Sequence, residues 1–185
     1  MVVKLPLAPG ALPTLWNDDE GYVETYLSTY PNYYLTGDGG HFDEDGYVYI
    51  MGRIDDVINV AGHRLSTGSM EEILAAHQDV AECAVIGAAD QLKGQVPVGF
   101  VVLKAGVDRD QDELVAELVA MVRDQIGPIA SFKRVMVVDR LPKTRSGKVL
   151  RKTMRSIVDG RPYQVPSTIE DAAVLDELGN LVVTR

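Results

Sequence analysis

Cysteine is nearly missing from this chain: Cys83 is the only one in 185 residues. One thiol excludes an internal disulfide framework. The sulfur sits in the apolar run Cys83-Ala84-Val85-Ile86, where it reads as a small packed hydrophobe. Such usage fits a reducing compartment, the cytoplasm or one like the mitochondrial matrix. Long apolar runs are also missing, and no stretch approaches the roughly 20 residues that span a bilayer. The opening Met1-Val2-Val3-Lys4-Leu5-Pro6 has no apolar core or cleavage site after it, so it does not read as a signal peptide. Histidine is scarce. His41, His63 and His77 show no metal-ligand spacing and read as structural, so no metal is assigned. Positive charge is the minority sign, 18 basic against 27 acidic residues with a net charge of −9. That balance argues against general nucleic-acid or anionic-membrane binding. No internal repeat and no low-complexity segment is present.

Hydrophobic residues make up 46% of the chain, enough for a real core. The length suits one domain, or a small domain with a piece of another. The basic residues are unevenly spread. Nine of the 18 lie between Lys133 and Arg155, opposed there only by Asp139. An acidic protein with one basic patch suggests an anion site; the plain alternative is a solvated positive face. A nucleic-acid reading of this patch lacks interleaved aromatics and conflicts with the overall acidity.

Apolar periodicity predicts the elements. Residues 1–33 are rich in Pro, Gly and aromatics, with a short helix around Gly21–Tyr30. Phe42 to Ile50 reads as strand, turn and strand about Asp43-Glu44-Asp45-Gly46. Arg53-Ile54-Asp55-Asp56 reads as a junction. Beyond it, Val57–Val60 is a strand ending at Gly62. Ser69-Met70-Glu71-Glu72 reads as a capping box. The helix it opens carries Met70, Ile73, Leu74 and His77 on one face. Val80–Ala88 and Val96–Lys104 are apolar strands. Asp110 opens a second helix with a stripe of Leu114, Leu118, Met121 and Val122, stopped by Gly127-Pro128. Arg134–Val138 is a strand, Val149–Ile157 a short cationic helix, and Ile169–Leu178 an amphipathic helix. This order predicts an α+β fold: a mixed sheet flanked by helices, preceded by a β-rich remnant. The expected divisions are 1–54, 55–160 and a tail, 161–185.

Three constellations could carry chemistry. Asp38 follows a glycine turn, Thr36-Gly37-Asp38, and Arg53 lies fifteen residues on. A carboxylate and a guanidinium fork across a hairpin suit the vicinal hydroxyls of a ribose, or simply make a surface ion pair. Gly62-His63-Arg64 follows a strand; the glycine allows close approach of a ligand, and Arg64 offers a planar donor for phosphate. Pro142-Lys143-Thr144-Arg145-Ser146-Gly147-Lys148 is a basic, glycine-containing loop. It fails the phosphate-cradling pattern Gly-x-x-x-x-Gly-Lys-Ser/Thr twice, because Pro142 replaces the first glycine and Val149 follows the lysine. Lys148 is therefore expected to act as an extended point charge.

Four separated motifs carry a family resemblance. They are Tyr34-Leu35-Thr36-Gly37-Asp38, the run from Gly52 to Leu65, Lys93-Gly94-Gln95-Val96-Pro97, and Leu141 to Lys148. In order and spacing, over residues 1–165, they resemble the C-terminal part of short-chain acyl-CoA synthetases of the adenylate-forming, AMP-binding superfamily. Gly39-Gly40-His41 and Ala61 to Gly68 look more like the propionyl-CoA than the acetyl-CoA branch. The resemblance implies that residues 1–54 end the large AMP-binding domain and 55–160 form its mobile lid. It implies a two-step reaction: a short-chain carboxylate, propionate first and acetate second, attacks ATP to give an acyl-adenylate and pyrophosphate, and coenzyme A then displaces AMP. It implies roles for residues too. Asp38 and Arg53 hold the ribose, and Arg64 meets the nucleotide phosphates. Lys148 bridges the carboxylate and the α-phosphate, and Asp55 is the hinge. Gly62 lines the pantetheine channel, and Arg123 meets the coenzyme A 3′-phosphate. Arg123 alone reads equally as a helix C-terminal cation favoured by the dipole. Mg2+ is expected to be held mainly by an N-terminal domain that also supplies the phosphate loop, adenine pocket and acyl pocket. Lys148 is an expected target of a lysine acyltransferase and deacylase. The competing class is a stand-alone nucleotide-binding module without catalysis.

Overall fold

A computed structural model describes residues 1–183, apart from the side chains of Met51 and Asp55. The chain divides into two units, Met1–Asp55 and Asp56–Arg185.

The first unit is built from two-stranded pieces. Strand β1 (Val2–Lys4) pairs antiparallel with β2 (Tyr33–Leu35). Helix α1 (Asp19–Tyr22) is capped by Asp18, whose carboxylate accepts from the Gly21 N–H. It runs into a π-helical stretch, Val23–Leu27, and Tyr22, Tyr26 and Tyr34 cluster around it. The expected hairpin is present but longer: β3 (Asp38–Phe42) pairs with β4 (Val48–Arg53). The Asp43 carboxylate closes its turn, accepting from the Asp45 and Tyr47 N–H groups at 3.1 and 2.8 Å. Two strands cannot bury their own apolar faces. Phe42 and Tyr47 are accordingly 69% and 68% exposed, with Tyr49 and Ile50 also open to solvent.

The second unit is a sheet covered on both faces. Strands β5 (Val57–Val60) and β6 (His63–Ser66) form a hairpin. Helix α2 (Thr67–Ala75) follows, then β7 (Val80–Asp90) and β8 (Gly94–Leu103). Helix α3 (Gln111–Ile126), β9 (Arg134–Val137), α4 (Arg151–Val158) and α5 (Ala173–Val183) complete it. β8 pairs antiparallel with β7 along its length. On its other edge it pairs parallel with β9 and meets β5 at Gly94. The sheet is therefore mixed, as the order of elements implied, and the fold is α+β.

Alternation along the strands makes two cores. Val85, Val101 and Val135 face α2 and α3, meeting Met70, Leu74, Leu114, Leu118 and Val122. Ile86, Phe100 and Met136 face the other way, toward Met154, Ile157, Leu175 and Leu178. Strands buried on both faces lose the polar-apolar alternation of a surface strand, which is why β7 and β8 read as continuous apolar runs.

Three local expectations are corrected. The cap of α2 is Ser66, whose hydroxyl accepts from the Ser69 N–H, so the helix starts earlier than the box at Ser69. His77 lies past the end of α2; there its Nδ1 accepts from the Asp79 N–H and its Nε2 meets Glu117 at 3.2 Å. The last helix runs over Ala173–Val183, not Ile169–Leu178, because the Asp171 carboxylate accepts from the Ala173 N–H and sets its start. The segment read as a tail supplies Ile169, Val174, Leu175 and Leu178 to the second core. Arg140 ties it down, reaching Asp171 and making a double contact with Glu177. Truncating a buried leucine typically costs about 2–5 kcal/mol. Leu178→Ala is therefore expected to lower the urea midpoint of the second unit by that order of free energy; an unchanged midpoint means α5 contributes nothing to the core.

Candidate functional site

Lys148 stands at the end of a closed hairpin. Lys143 pairs antiparallel with Val149. The Thr144 N–H donates to the Lys148 carbonyl at 2.8 Å, and the Gly147 N–H donates back to the Thr144 carbonyl at 2.8 Å. The Lys148 N–H donates to the Thr144 hydroxyl at 3.1 Å. Gly147 takes φ 83°, a conformation in which any other residue is strained. The backbone around the lysine is thus bonded on both sides, while the side chain is exposed. No partner for its ammonium exists among the described residues.

The strand behind this turn is held on its far side. The Arg145 N–H donates to the Thr168 carbonyl at 3.0 Å, and the Glu170 N–H to the Lys143 carbonyl at 2.9 Å. The other limb continues into α4. At its first residue Arg151 meets Glu71 of α2 with contacts of 2.8 to 3.1 Å, and one Glu71 oxygen also accepts from the Val85 N–H of β7 at 2.8 Å. Neither Glu71 nor the role of 168–170 was visible in sequence, since Glu71 and Arg151 are 80 positions apart.

Gly62 closes the β5–β6 hairpin. Ala61 and Gly62 both take positive φ, 49° and 90°, and Val60 pairs with His63; these are the features of a two-residue type I′ turn. A side-chain carbon at Gly62 would meet no heavy atom within 4 Å, so the space above it is open. Arg64 is exposed on β6. The Ala61 N–H donates to the Lys93 carbonyl at 2.8 Å. The Lys93 ammonium in turn donates to the Ser131 hydroxyl at 2.6 Å. Lys93, Ser131 and Lys133 line a groove of about 330 Å³ together with Arg123. Lys93 therefore joins the Gly62 turn to the surroundings of Arg123. Sequence alone gives Lys93 and Lys133 no role, although Lys93 opens one of the four motifs.

In the first unit, Asp38 and Arg53 face each other directly across the hairpin. Their side chains approach to 4.0 Å, and the Arg53 guanidinium also donates to the Thr36 carbonyl at 3.4 Å. Asp55, the expected hinge, has a side chain outside the described residues; its backbone lies in the 3₁₀ turn Ile54–Asp56. The structure thus pairs Asp38 with Arg53 and joins Gly62 to the Arg123 groove. No bond links Lys148, Arg64 and Arg123 to one another among the described residues.

The basic run is not a uniform face. Arg140, Lys143 and Arg151 are paired with Asp171 and Glu177, Glu82 and Glu71. Lys148 and Arg145 remain exposed at the tip.

Comparison with known proteins defines the class. Residues 69–148 match the AMP-binding enzyme C-terminal domain. The chain is 53% identical over 176 residues to acyl-CoA synthetase short-chain family member B, mitochondrial, of Dictyostelium discoideum. It is 48% identical over 178 residues to acyl-CoA synthetase short-chain family member 3, mitochondrial, of Mus musculus. These alignments cover 95% and 96% of this chain and 26% of each relative; the chain spans about a quarter of their length. ATP-bound MatB from Rhodopseudomonas palustris superposes with a TM-score of 0.64 at 27% identity, covering 80% of this chain and 28% of that one. Residues 69–148 thus carry the AMP-binding enzyme C-terminal domain, and the relatives that match nearly the whole chain are short-chain acyl-CoA synthetases.

The thiol next to this framework is chemically quiet. Burial, and then the Glu71 carboxylate, push Cys83 up to about 11, against a smaller opposing effect of Arg151. Thiolate is the reactive form, and higher basicity only partly offsets its scarcity. Iodoacetamide at pH 8 is expected to modify Cys83 about tenfold more slowly than a free thiol; a rate equal to free cysteine contradicts this environment.

Proposed function

We propose that this chain is the C-terminal portion of an ATP-dependent acyl-CoA synthetase. It activates a short-chain carboxylate, propionate first and acetate as the alternative, to an acyl-adenylate with release of pyrophosphate. Coenzyme A then displaces AMP. The supporting observation is the presentation of Lys148: an exposed ammonium, without a partner among the described residues, on a hairpin whose backbone is bonded on both sides.

The roles follow from charge. In the first step negative charge gathers on the α-phosphate. A lysine brought in only then stabilises the transition state and not the resting complex. Asp38 accepts from the ribose hydroxyls, and Arg53 holds that carboxylate or donates to the same sugar. Arg64 donates to the nucleotide phosphates. Asp55 is the hinge about which the second unit turns between steps. After the turn the open surface at Gly62 takes the pantetheine chain. Arg123 takes the 3′-phosphate of coenzyme A in the groove that also presents Lys93 and Lys133. The link from the Gly62 turn through Lys93 to that groove supports one continuous coenzyme A face. Mg2+ belongs with the phosphate loop of an N-terminal domain. Acylation of Lys148 removes its charge and switches off adenylation.

In the full-length enzyme, Lys148→Ala is expected to lower ATP–pyrophosphate exchange by about 10²–10³. Thioester formation from supplied acyl-adenylate should largely survive. An equal fall in both half-reactions contradicts the alternating roles. The 185 residues alone are expected to show no exchange above background, because the acyl and adenine pockets lie elsewhere; measurable exchange contradicts that division of labour.

A further inference from the structure

Arg151 occupies the place in a helix that least favours a cation. It is the first residue of α4, and Leu150 before it offers no side-chain cap. The first-turn N–H groups and the helix dipole both present positive potential there. The side chain nevertheless turns inward and is only 23% exposed. It closes on Glu71, 18% exposed, through both Nε and Nη2. Glu71 is itself committed twice more: its carboxylate accepts from the Val85 N–H, and its carbonyl accepts from the Cys83 thiol at 3.2 Å. One carboxylate thus joins α2, the outer edge of β7 and the start of α4.

Only Val149 and Leu150 separate this junction from Lys148. Val149 pairs with Lys143, and the Leu150 N–H donates to the Pro142 carbonyl at 2.9 Å. The outgoing limb of the hairpin therefore runs straight from the lysine into the buried pair. An unfavourable cation retained at a helix start, beside a functional loop, is where local rules are expected to yield to function.

We propose that Glu71 and Arg151 are positioning residues for Lys148. They fix the outgoing limb of its hairpin against α2 and β7, so that the ammonium is presented at one angle. The inference rests on the acyl-CoA synthetase reading above. A planar fork gives this geometry and a lysine at 151 does not, because the double contact needs a guanidinium. Misplacing a catalytic group by about 1 Å from a distant change costs up to about a hundredfold in rate.

The test uses the full-length enzyme with Arg151→Lys, Glu71→Gln and Lys148→Ala. Arg151→Lys and Glu71→Gln are expected to lower ATP–pyrophosphate exchange about ten- to a hundredfold. Thioester formation from supplied acyl-adenylate should stay within about twofold, since Lys148 is not used there. Amide hydrogen exchange should speed up in residues 143–150 while β8 stays protected. Equal loss in both half-reactions, or faster exchange throughout the second unit, shows a merely structural pair and overturns the proposal. Unchanged adenylation with Lys148→Ala inactive overturns it as well. If Lys148→Ala itself leaves adenylation intact, the functional reading fails; the exchange pattern of 143–150 then still decides whether the pair orders the hairpin.

Discussion

Strand β8 is confined in every direction. Hydrogen bonds to β7 run along one edge, and β9 and β5 share the other. Val101 is packed under α2 and α3, while Val98 and Phe100 are packed under α4 and α5. Burying apolar surface on both faces of a strand is a large favourable term, and here it sets the geometry of everything outside. The helices cannot shift along the sheet without opening one of the two cores, because interiors are close-packed. The hairpin that carries Lys148 ends in α4, whose Met154 and Ile157 are part of the second core. The position of an exposed ammonium is thus set, several residues away, by side chains that never meet solvent.

Charge plays a different part. The run from 133 to 155 suggests a single anion-attracting face, but several of its members have structural partners. Arg140 binds the segment before α5, Lys143 meets Glu82 on β7, and Arg151 meets Glu71 on α2. What is left for a ligand is smaller and more directed than the composition implies. On the groove side the reverse holds. Lys93 and Lys133 gather beside Arg123 from separate parts of the chain, so folding makes a basic cluster there that no single stretch of sequence shows.

Legibility tracked the range of each interaction. The strands β7 and β8, the Asp110 cap and the stop at Gly127 rest on local patterns and were readable. Strand β6 was not, because His63-Arg64-Leu65-Ser66 has little β signal and is defined by the turn before it, where Ala61 adopts a conformation usually left to glycine. Sequence points to Ser69 as the cap of α2 because Ser69 with Glu72 satisfies a known pattern, whereas Ser66, the actual cap, has no acidic residue three positions on. At the candidate site, Asp38 and Arg53 were linked by a hairpin that sequence predicts. Lys93 with Ser131, and Glu71 with Arg151, are joined only by tertiary folding.

The stretch from Thr168 to Glu170 lies beside the lysine hairpin as a third backbone limb. Composition invites a cut near Gly160, where prolines begin and regular periodicity fades. Trimming there would strip the loop of its outer neighbour and bare one side of the sheet's second core. The smallest self-sufficient version of this unit must therefore keep the last helix, even though no proposed ligand touches it.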